Sequence, residues 1–184
     1  MHVQVKPLNQ YPWYIRPFFW NQKRKYGAVL DPGRLWGRSP KLFASVAIMY
    51  GVLDRKGSPL SPVLRSLVTV RVSQVNGCHF CVDINSATLA QRSGSMDKML
   101  ALSDWRNQDL FSEEERVVLE YTEAVTYTHG VVSAELMTRL RGFYDDEGIV
   151  ELTGLIAFQN LSSKFNNALD VPAQGFCPVS DSQG

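Results

Sequence analysis

The sequence is poor in the residues that build metal centres and disulfide scaffolds. Its 184 residues include three cysteines and three histidines. A zinc site usually takes four ligands, as two C-x-x-C-like pairs or a cysteine pair with two spaced histidines. Here Cys78 and Cys81 form one pair, Cys177 stands apart, and His2, His79 and His129 show no ligand spacing. No metal and no cofactor are therefore expected. With one thiol left over in any pairing scheme, a reducing compartment fits better than a stapled secreted fold, and the expectation is cytoplasmic. An excess of either charge is also missing. The net charge of +1 points to neither nucleic acid nor an anionic membrane surface. The cluster Lys23-Arg24-Lys25 reads as a solvated face. The first residues carry no apolar leader pattern. The longest apolar run, Leu42 to Leu53, is about twelve residues, too short to span a bilayer.

What is present is ordinary for a soluble globular chain: 45% hydrophobic and 20% charged residues, in a length that suits one domain with an appended segment. Residues 1–38 hold eight aromatics, among them Trp13, Trp20 and Trp36, interrupted by Pro12, Pro17, Pro32 and Gly33. Only short helical pieces are expected there. The rings need somewhere to be buried, either on the chain's own core or on a neighbouring subunit as an arm. The arm is preferred, and a nucleotide-stacking platform is remote at this net charge.

Residues 39–170 read as helices almost throughout. Ser39-Pro40 and Ser61-Pro62 each place a capping residue before a proline at the first helical position. Val68, Val70 and Val72 alternate as in a strand, but Leu64, Val68, Val72 and Val75 also form a helical stripe. Ser112 and Glu115 make a capping box, and Ser133 caps a further helix with Leu136, Leu140 and Phe143 inward. Asp145 or Asp146 opens a last long helix to about Leu161, apolar around most of its girth and so central. Residues 171–184, rich in proline, glycine and serine, read as a loop or loose tail.

The chemistry is expected at C-x-x-C. Cys78 and Cys81 follow Asn76-Gly77, a natural stop, and precede residues that suit a new helix. A helix begun there sets both thiols on one face beside unpaired N–H groups and a partial positive charge. Cysteines so placed can have pKa values lowered from ~8.5 to as little as ~3.5, and the thiolate is the reactive form. Two buried, inert cysteines are the plainer alternative. A thioredoxin fold would need a strand–helix–strand pattern that is not seen. His79 points about 100° away from Cys78 on such a helix and reads as an exposed neighbour or an assisting group. Asp83 is expected to face solvent or another helix. Asn85, one turn beyond Cys81, is expected near the thiol. Glu151, Gln159 and Asn160 are expected to make structural hydrogen bonds, and His129 to close a helix. Cys177 is either inert or a third redox partner.

Segment 65–90, together with VELTGLIAFQNLSSKFNNALDVP (150–172), resembles the carboxymuconolactone decarboxylase / alkylhydroperoxidase D-like family. PWYIRPFFW, KYGAVLDP and LWGRSPKLF are similar to the N-terminal extension of one branch, and the likeness runs from residue 12 to 177. It implies an all-α fold, a single helical bundle of about seven helices, and settles the valine-rich segment as helix. It also implies a dithiol oxidoreductase. Cys81 would attack a peroxide oxygen, Cys78 would resolve the sulfenic acid to a Cys78–Cys81 disulfide, and an external dithiol would reduce it. An i, i+3 spacing on one helix suits such a bond. The family pattern places a Glu twelve residues before the first cysteine and a His four after the second. Those positions are Ser66 and Asn85 here. Neither can exchange protons near neutral pH, so the usual relay is lost. The alternatives are a carboxymuconolactone decarboxylase-like enzyme acting on a carboxylated lactone, or a non-catalytic oligomer that senses oxidation or binds a partner. The family's habit also implies a homo-oligomer: a dimer, trimer or hexamer.

Overall fold

The chain's punctuation decides where its helices begin and end. In the computed structural model, which describes residues 1–177, every regular element among the described residues is helical: nine α-helices and two short 3-10 turns. The described residues divide into two compact units, Met1–Val52 with Leu169–Val171, and Leu53–Ala168 with the stretch 172–177. The predicted tail beyond Cys177 lies outside the described residues.

In the first unit, α1 (Arg16–Tyr26) and α2 (Asp31–Trp36) each carry a proline in the first turn, where a missing N–H costs nothing. Gly27 ends α1 at φ 77°, a left-handed conformation that glycine adopts without strain. Tyr11, Ile15, Phe19, Leu35 and Trp36 are buried, with Tyr11 edge-on to Phe19 and Phe18 edge-on to Phe43 of α3 (Pro40–Leu53). The aromatics thus split. Tyr11, Phe19 and Trp36 are enclosed, whereas Trp13, Tyr14 and Trp20 stand exposed. The unit also takes in α3 up to Val52, beyond the boundary expected at residue 38.

In the second unit, α4 (Pro62–Val75) and α5 (His79–Ser93) form an antiparallel hairpin. Ser61 caps α4, and its proline-led start prevails over the alternating valines. Asn76-Gly77 reverses the chain, with Gly77 at φ 62°. Gly94 closes α5 at φ 72°. A short α6 (Asp97–Ala101) and a 3-10 turn (Leu102–Asn107) lead to α7 (Glu113–Thr126), opened by the Ser112–Glu115 capping box. Ser133 caps α8 (Ala134–Arg141). The last helix, α9, runs from Asp146 to Ala168, seven residues past the expected end at Leu161. Apolar periodicity fades there, but tertiary hydrogen bonds carry the helix on. Its burial is one-sided: Leu152 and Ile156 are fully enclosed, while Val150 and Leu161 are exposed. Phe143, expected inward, is exposed as well, because it falls after the helix has ended.

One cluster gathers Val68, Val72, Val117, Val118, Leu140, Leu152 and Ile156 from α4, α7, α8 and α9. Enclosing each such side chain is worth about 1.5–3 kcal/mol. A second cluster holds Leu67, Val70, Leu89, Leu102, Trp105 and Leu119 together with Cys177. No helix among the described residues is long and apolar enough to cross a membrane.

Candidate active site

The turn between α4 and α5 is fixed from several sides, which fixes the cysteines. The Cys78 N–H donates to the Ser73 carbonyl at 3.0 Å, and the Asn76 side chain donates to Asn160 Oδ1 on α9 at 2.9 Å. Asn167 Nδ2 donates back to the Asn76 carbonyl at 3.0 Å. Cys78 is the N-cap residue of α5, and its Sγ accepts the backbone N–H of Cys81 at 3.3 Å. A sulfur at this position receives an otherwise orphaned helix donor. Cys78 and Cys81 are joined as a disulfide, with Cα atoms 5.3 Å apart. Both are buried, at 1% and 2% exposure.

Among the described residues, the side chains that hydrogen-bond to Cys81 Sγ and to the neighbouring Ser73 are amides and hydroxyls. Asn166 of α9 donates from Nδ2 to Cys81 Sγ at 3.2 Å. Asn85 Nδ2 donates to Ser73 Oγ at 3.2 Å, and Gln159 Nε2 donates to the same oxygen at 3.1 Å and to Ser163 Oγ at 3.0 Å. This buried network is tied to α4, α5 and α9 at once, so its members hold one another in place.

Ser66 sits two turns down the hairpin from Ser73. Its hydroxyl donates to the Pro62 carbonyl at 3.1 Å and accepts from Arg92 Nη1 at 3.1 Å. Arg92 in turn clasps Asp54 with Nη2 at 2.7 and 2.9 Å. The structure therefore gathers Cys78, Cys81 and Asn85 at one end of the hairpin and gives Ser66 partners towards the other. His79 is exposed. Glu151 pairs with Arg55 and Ser58, and Asn160 joins Asn76 to Thr126; both serve the fold. His129 lies just past the end of α7, exposed.

Asp83, expected to face solvent or another helix, instead holds the C-terminal segment. It is fully buried, and its two oxygens accept the backbone N–H groups of Gln174 and Cys177 at 2.8 and 2.7 Å. The predicted loose tail is, through residue 177, pinned to the cysteine helix, and Cys177 is buried in the second cluster. Among the described residues, no three side chains of the metal-ligating kinds converge.

Two residues of consequence were not singled out by the sequence, although Asn166 lies within the stretch that carries the family resemblance. Asn166 belongs to a segment beyond the expected end of its helix. Glu123 lies within an amphipathic stripe, where a carboxylate reads as surface. It is buried, accepting from Arg71 Nε at 2.7 Å, Trp105 Nε1 at 2.9 Å and Arg106 Nη2 at 2.6 Å. Burial works against its charge, but the hydrogen bonds from Arg106, Trp105 and Arg71 outweigh it and hold the carboxyl below its ordinary range.

Residues 40–124 match the carboxymuconolactone decarboxylase family, and the C-x-x-C lies within that span. This chain belongs to that family. An uncharacterized Escherichia coli K12 relative, YnjA, is 50% identical over 175 residues, covering 95% of this chain and 96% of its own. Two solved structures share the family's helical fold at low identity. One, from Ralstonia eutropha JMP134, is described as an alkylhydroperoxidase AhpD core and an uncharacterized peroxidase-related protein. It superposes at a TM-score of 0.85, with 21% identity over 97% of this chain and 95% of its own. The other is a variant of the debrominase Bmp8 in complex with 2,3,4-tribromopyrrole. Its TM-score is 0.86, with 17% identity over all of this chain and 97% of its own. The family includes enzymes, and the alkylhydroperoxidase D-like architecture is the one this chain adopts.

Proposed function

We propose that this protein is a dithiol oxidoreductase that reduces small hydroperoxides through Cys81 and Cys78. The observation that carries this reading is the placement of the pair: Cys78 caps α5, and Cys81 lies one turn in, within bonding reach of it. The Cys81 thiolate takes the terminal oxygen of the peroxide as the O–O bond breaks, giving a sulfenic acid and an alcohol. Cys78 then displaces water to close the disulfide, and an external dithiol returns both to thiols. The supporting surround is one of amides and hydroxyls. With Ser66 and Asn85 at the positions where the family pattern has Glu and His, proton transfer falls to solvent, and the reaction is slow near neutral pH.

The same reading places the protein in the reducing cytoplasm as a homo-oligomer. The test is peptide mass spectrometry of the reduced protein before and after one equivalent of hydrogen peroxide. A Cys78–Cys81 disulfide, formed with stoichiometric loss of peroxide and reversed by a dithiol, is the expected result. Unchanged thiols with peroxide intact would leave a decarboxylase-like or non-catalytic role.

A further inference from the structure

The attacking sulfur has one side-chain hydrogen-bond donor among the described residues, and it is not at either position of the family's Glu and His. Asn166 reaches Cys81 Sγ with Nδ2 at 3.2 Å from α9, and it is 1% exposed. The other half of the same amide, Oδ1, is buried and has no hydrogen-bond partner among the described residues. Buried side-chain oxygens nearly always have partners, so an orphan beside a reactive sulfur points to a ligand. The amide's orientation follows from the chemistry of the sulfur. A thiolate only accepts, so it must face the NH₂ group, and turning the amide over would set oxygen lone pairs against sulfur lone pairs.

We propose that Asn166 is a catalytic residue of the dithiol centre. Its Nδ2–H stabilises the Cys81 thiolate, and its Oδ1 receives the O–H of the incoming hydroperoxide. The proposal rests on the dithiol reading above and assigns the group that stands in for the missing relay. With the hydroperoxide's O–H held by Oδ1, the terminal oxygen lies beside the sulfur. A sulfur lone pair attacks that oxygen, and the O–O bond breaks with its electron pair on the departing alkoxide, which takes a proton from water. The sulfur is oxidised by two electrons and the peroxide is reduced by two. The transferred oxygen keeps its hydrogen as Cys81–S–OH, still bonded to Oδ1, with Cys78 adjacent to displace the hydroxyl as water. Asn166 moves no proton. It holds the charge before the reaction and the hydroxyl during it, which suits an enzyme without a base.

The test uses the full chain in a Cys78→Ser background, where the hydroxyl keeps the N-cap and Cys81 ionises alone. Alkylation of Cys81 by iodoacetamide, followed against pH by peptide mapping, gives its ionisation midpoint without any peroxide. A hydrogen bond to a charged group is worth about one pH unit or more in such a midpoint. Asn166→Ala should raise the midpoint by about one unit. Asn166→Asp, of the same shape, should raise it further by opposing the thiolate with a carboxylate. At a pH where every variant is fully ionised, Asn166→Ala should still form the sulfenic acid about tenfold more slowly with hydrogen peroxide, because Oδ1 is gone. The side-chain amide resonances of Asn166 in the unsubstituted, reduced protein should shift with the same midpoint as the thiol. Those resonances decide the matter even if a variant fails to fold. Amide resonances indifferent to the thiol, or midpoints that coincide across folded variants, overturn the proposal. An ionised Asn166→Ala that reacts at the parent rate overturns the acceptor role. Shifted midpoints in a protein that never consumes peroxide would instead sink the peroxidase reading and leave Asn166's hold on the thiolate standing.

Discussion

The Asp83 carboxylate accepts the backbone N–H of Cys177 at 2.7 Å, ninety-four residues along the chain, from a site two residues past Cys81. With the second oxygen holding the Gln174 N–H, one buried side chain anchors the 172–177 segment to the cysteine helix. Asp83→Asn would turn one acceptor into a donor facing an N–H group. Hydrogen bonds to a buried charge are worth about 1.5–3 kcal/mol each, so the segment should come loose. In the oxidised protein Cys177 should then react with Ellman's reagent under native conditions, whereas the unsubstituted protein should not. A silent Cys177 in the folded variant would mean that contacts other than those to Asp83 hold the segment down.

The two cysteines have unequal expected roles. Cys81→Ser should abolish peroxide consumption. Cys78→Ser should allow a single turnover that stops at a sulfenic acid, trapped by dimedone on Cys81. The reverse pattern, with the dimedone adduct on Cys78 of a Cys81→Ser protein, would exchange the attacking and resolving thiols.

Much of the helical framework was legible because capping chemistry is local. Ser61-Pro62, Ser112 with Glu115 and Ser133 each mark a boundary within a residue or two, and the hydrogen bonds follow the marks. The C-x-x-C and its place at a helix start were legible for the same reason. What lay outside local reach were the partners. Asp83 looks like any surface carboxylate until a segment ninety residues away supplies two N–H groups. Asn166 and Asn167 lie past the helix end expected at Leu161, yet they sit on α9 and bond to Cys81 and Asn76. Residue 66 carries the family's counting but not its neighbourhood: Arg92 and Pro62, not the thiols, are its hydrogen-bond partners. Counting along a helix locates a residue, and only the packing tells what it meets.

Glu123 should make stability acid-sensitive. Its carboxyl titrates below the ordinary range in the folded state, so the unfolded chain binds the proton more readily. The contribution is therefore fully present above the unfolded pKa of ~4.3 and is lost as pH falls through the lower folded value. Urea unfolding at pH 7 and across pH 5 to 3 should show that loss. Glu123→Gln should lower stability at pH 7 by about 3 kcal/mol, since half-buried Arg71 is left without its charge partner, and should flatten the acid limb. An equally steep acid limb in the variant would assign the effect to other carboxylates.

Association is expected from the apolar surface that the first unit leaves open. Ile48, Met49 and Val52 on α3 are exposed, as are Trp13 and Trp20. Covering such side chains between subunits is how obligate interfaces are built. Light scattering at micromolar concentration should give a mass well above 20.7 kDa. Ile48→Glu should lower it. A monomer in the unsubstituted protein would end the idea.

The missing relay can be tested by restoring it one position at a time. Asn85 lies one turn beyond Cys81 on α5, where i and i+4 side chains are neighbours, and its amide points into the Ser73–Gln159 network. Asn85→His would bring an imidazole within reach of the thiol while Ser73 Oγ still offers its other nitrogen a partner. General acid–base help is typically worth ~10²–10⁴-fold, so even imperfect placement should raise the peroxide rate at pH 7 at least about tenfold. The rate should also depend less on pH between 7 and 8, because the thiol no longer has to ionise unaided. Ser66→Glu should behave differently. Ser66 is buried, and the nearest charge is the Arg92 guanidinium. A carboxylate there would compete with Asp54 for Arg92 and crowd a packed hairpin, at a cost of about 1–3 kcal/mol. Alone it should lower the melting temperature and leave the rate unchanged. Combined with Asn85→His, it should add little beyond the single change. A double variant that outpaces Asn85→His tenfold would show that the carboxylate leaves Arg92 and reaches the imidazole, and that the relay geometry survives in this hairpin despite the lost residues.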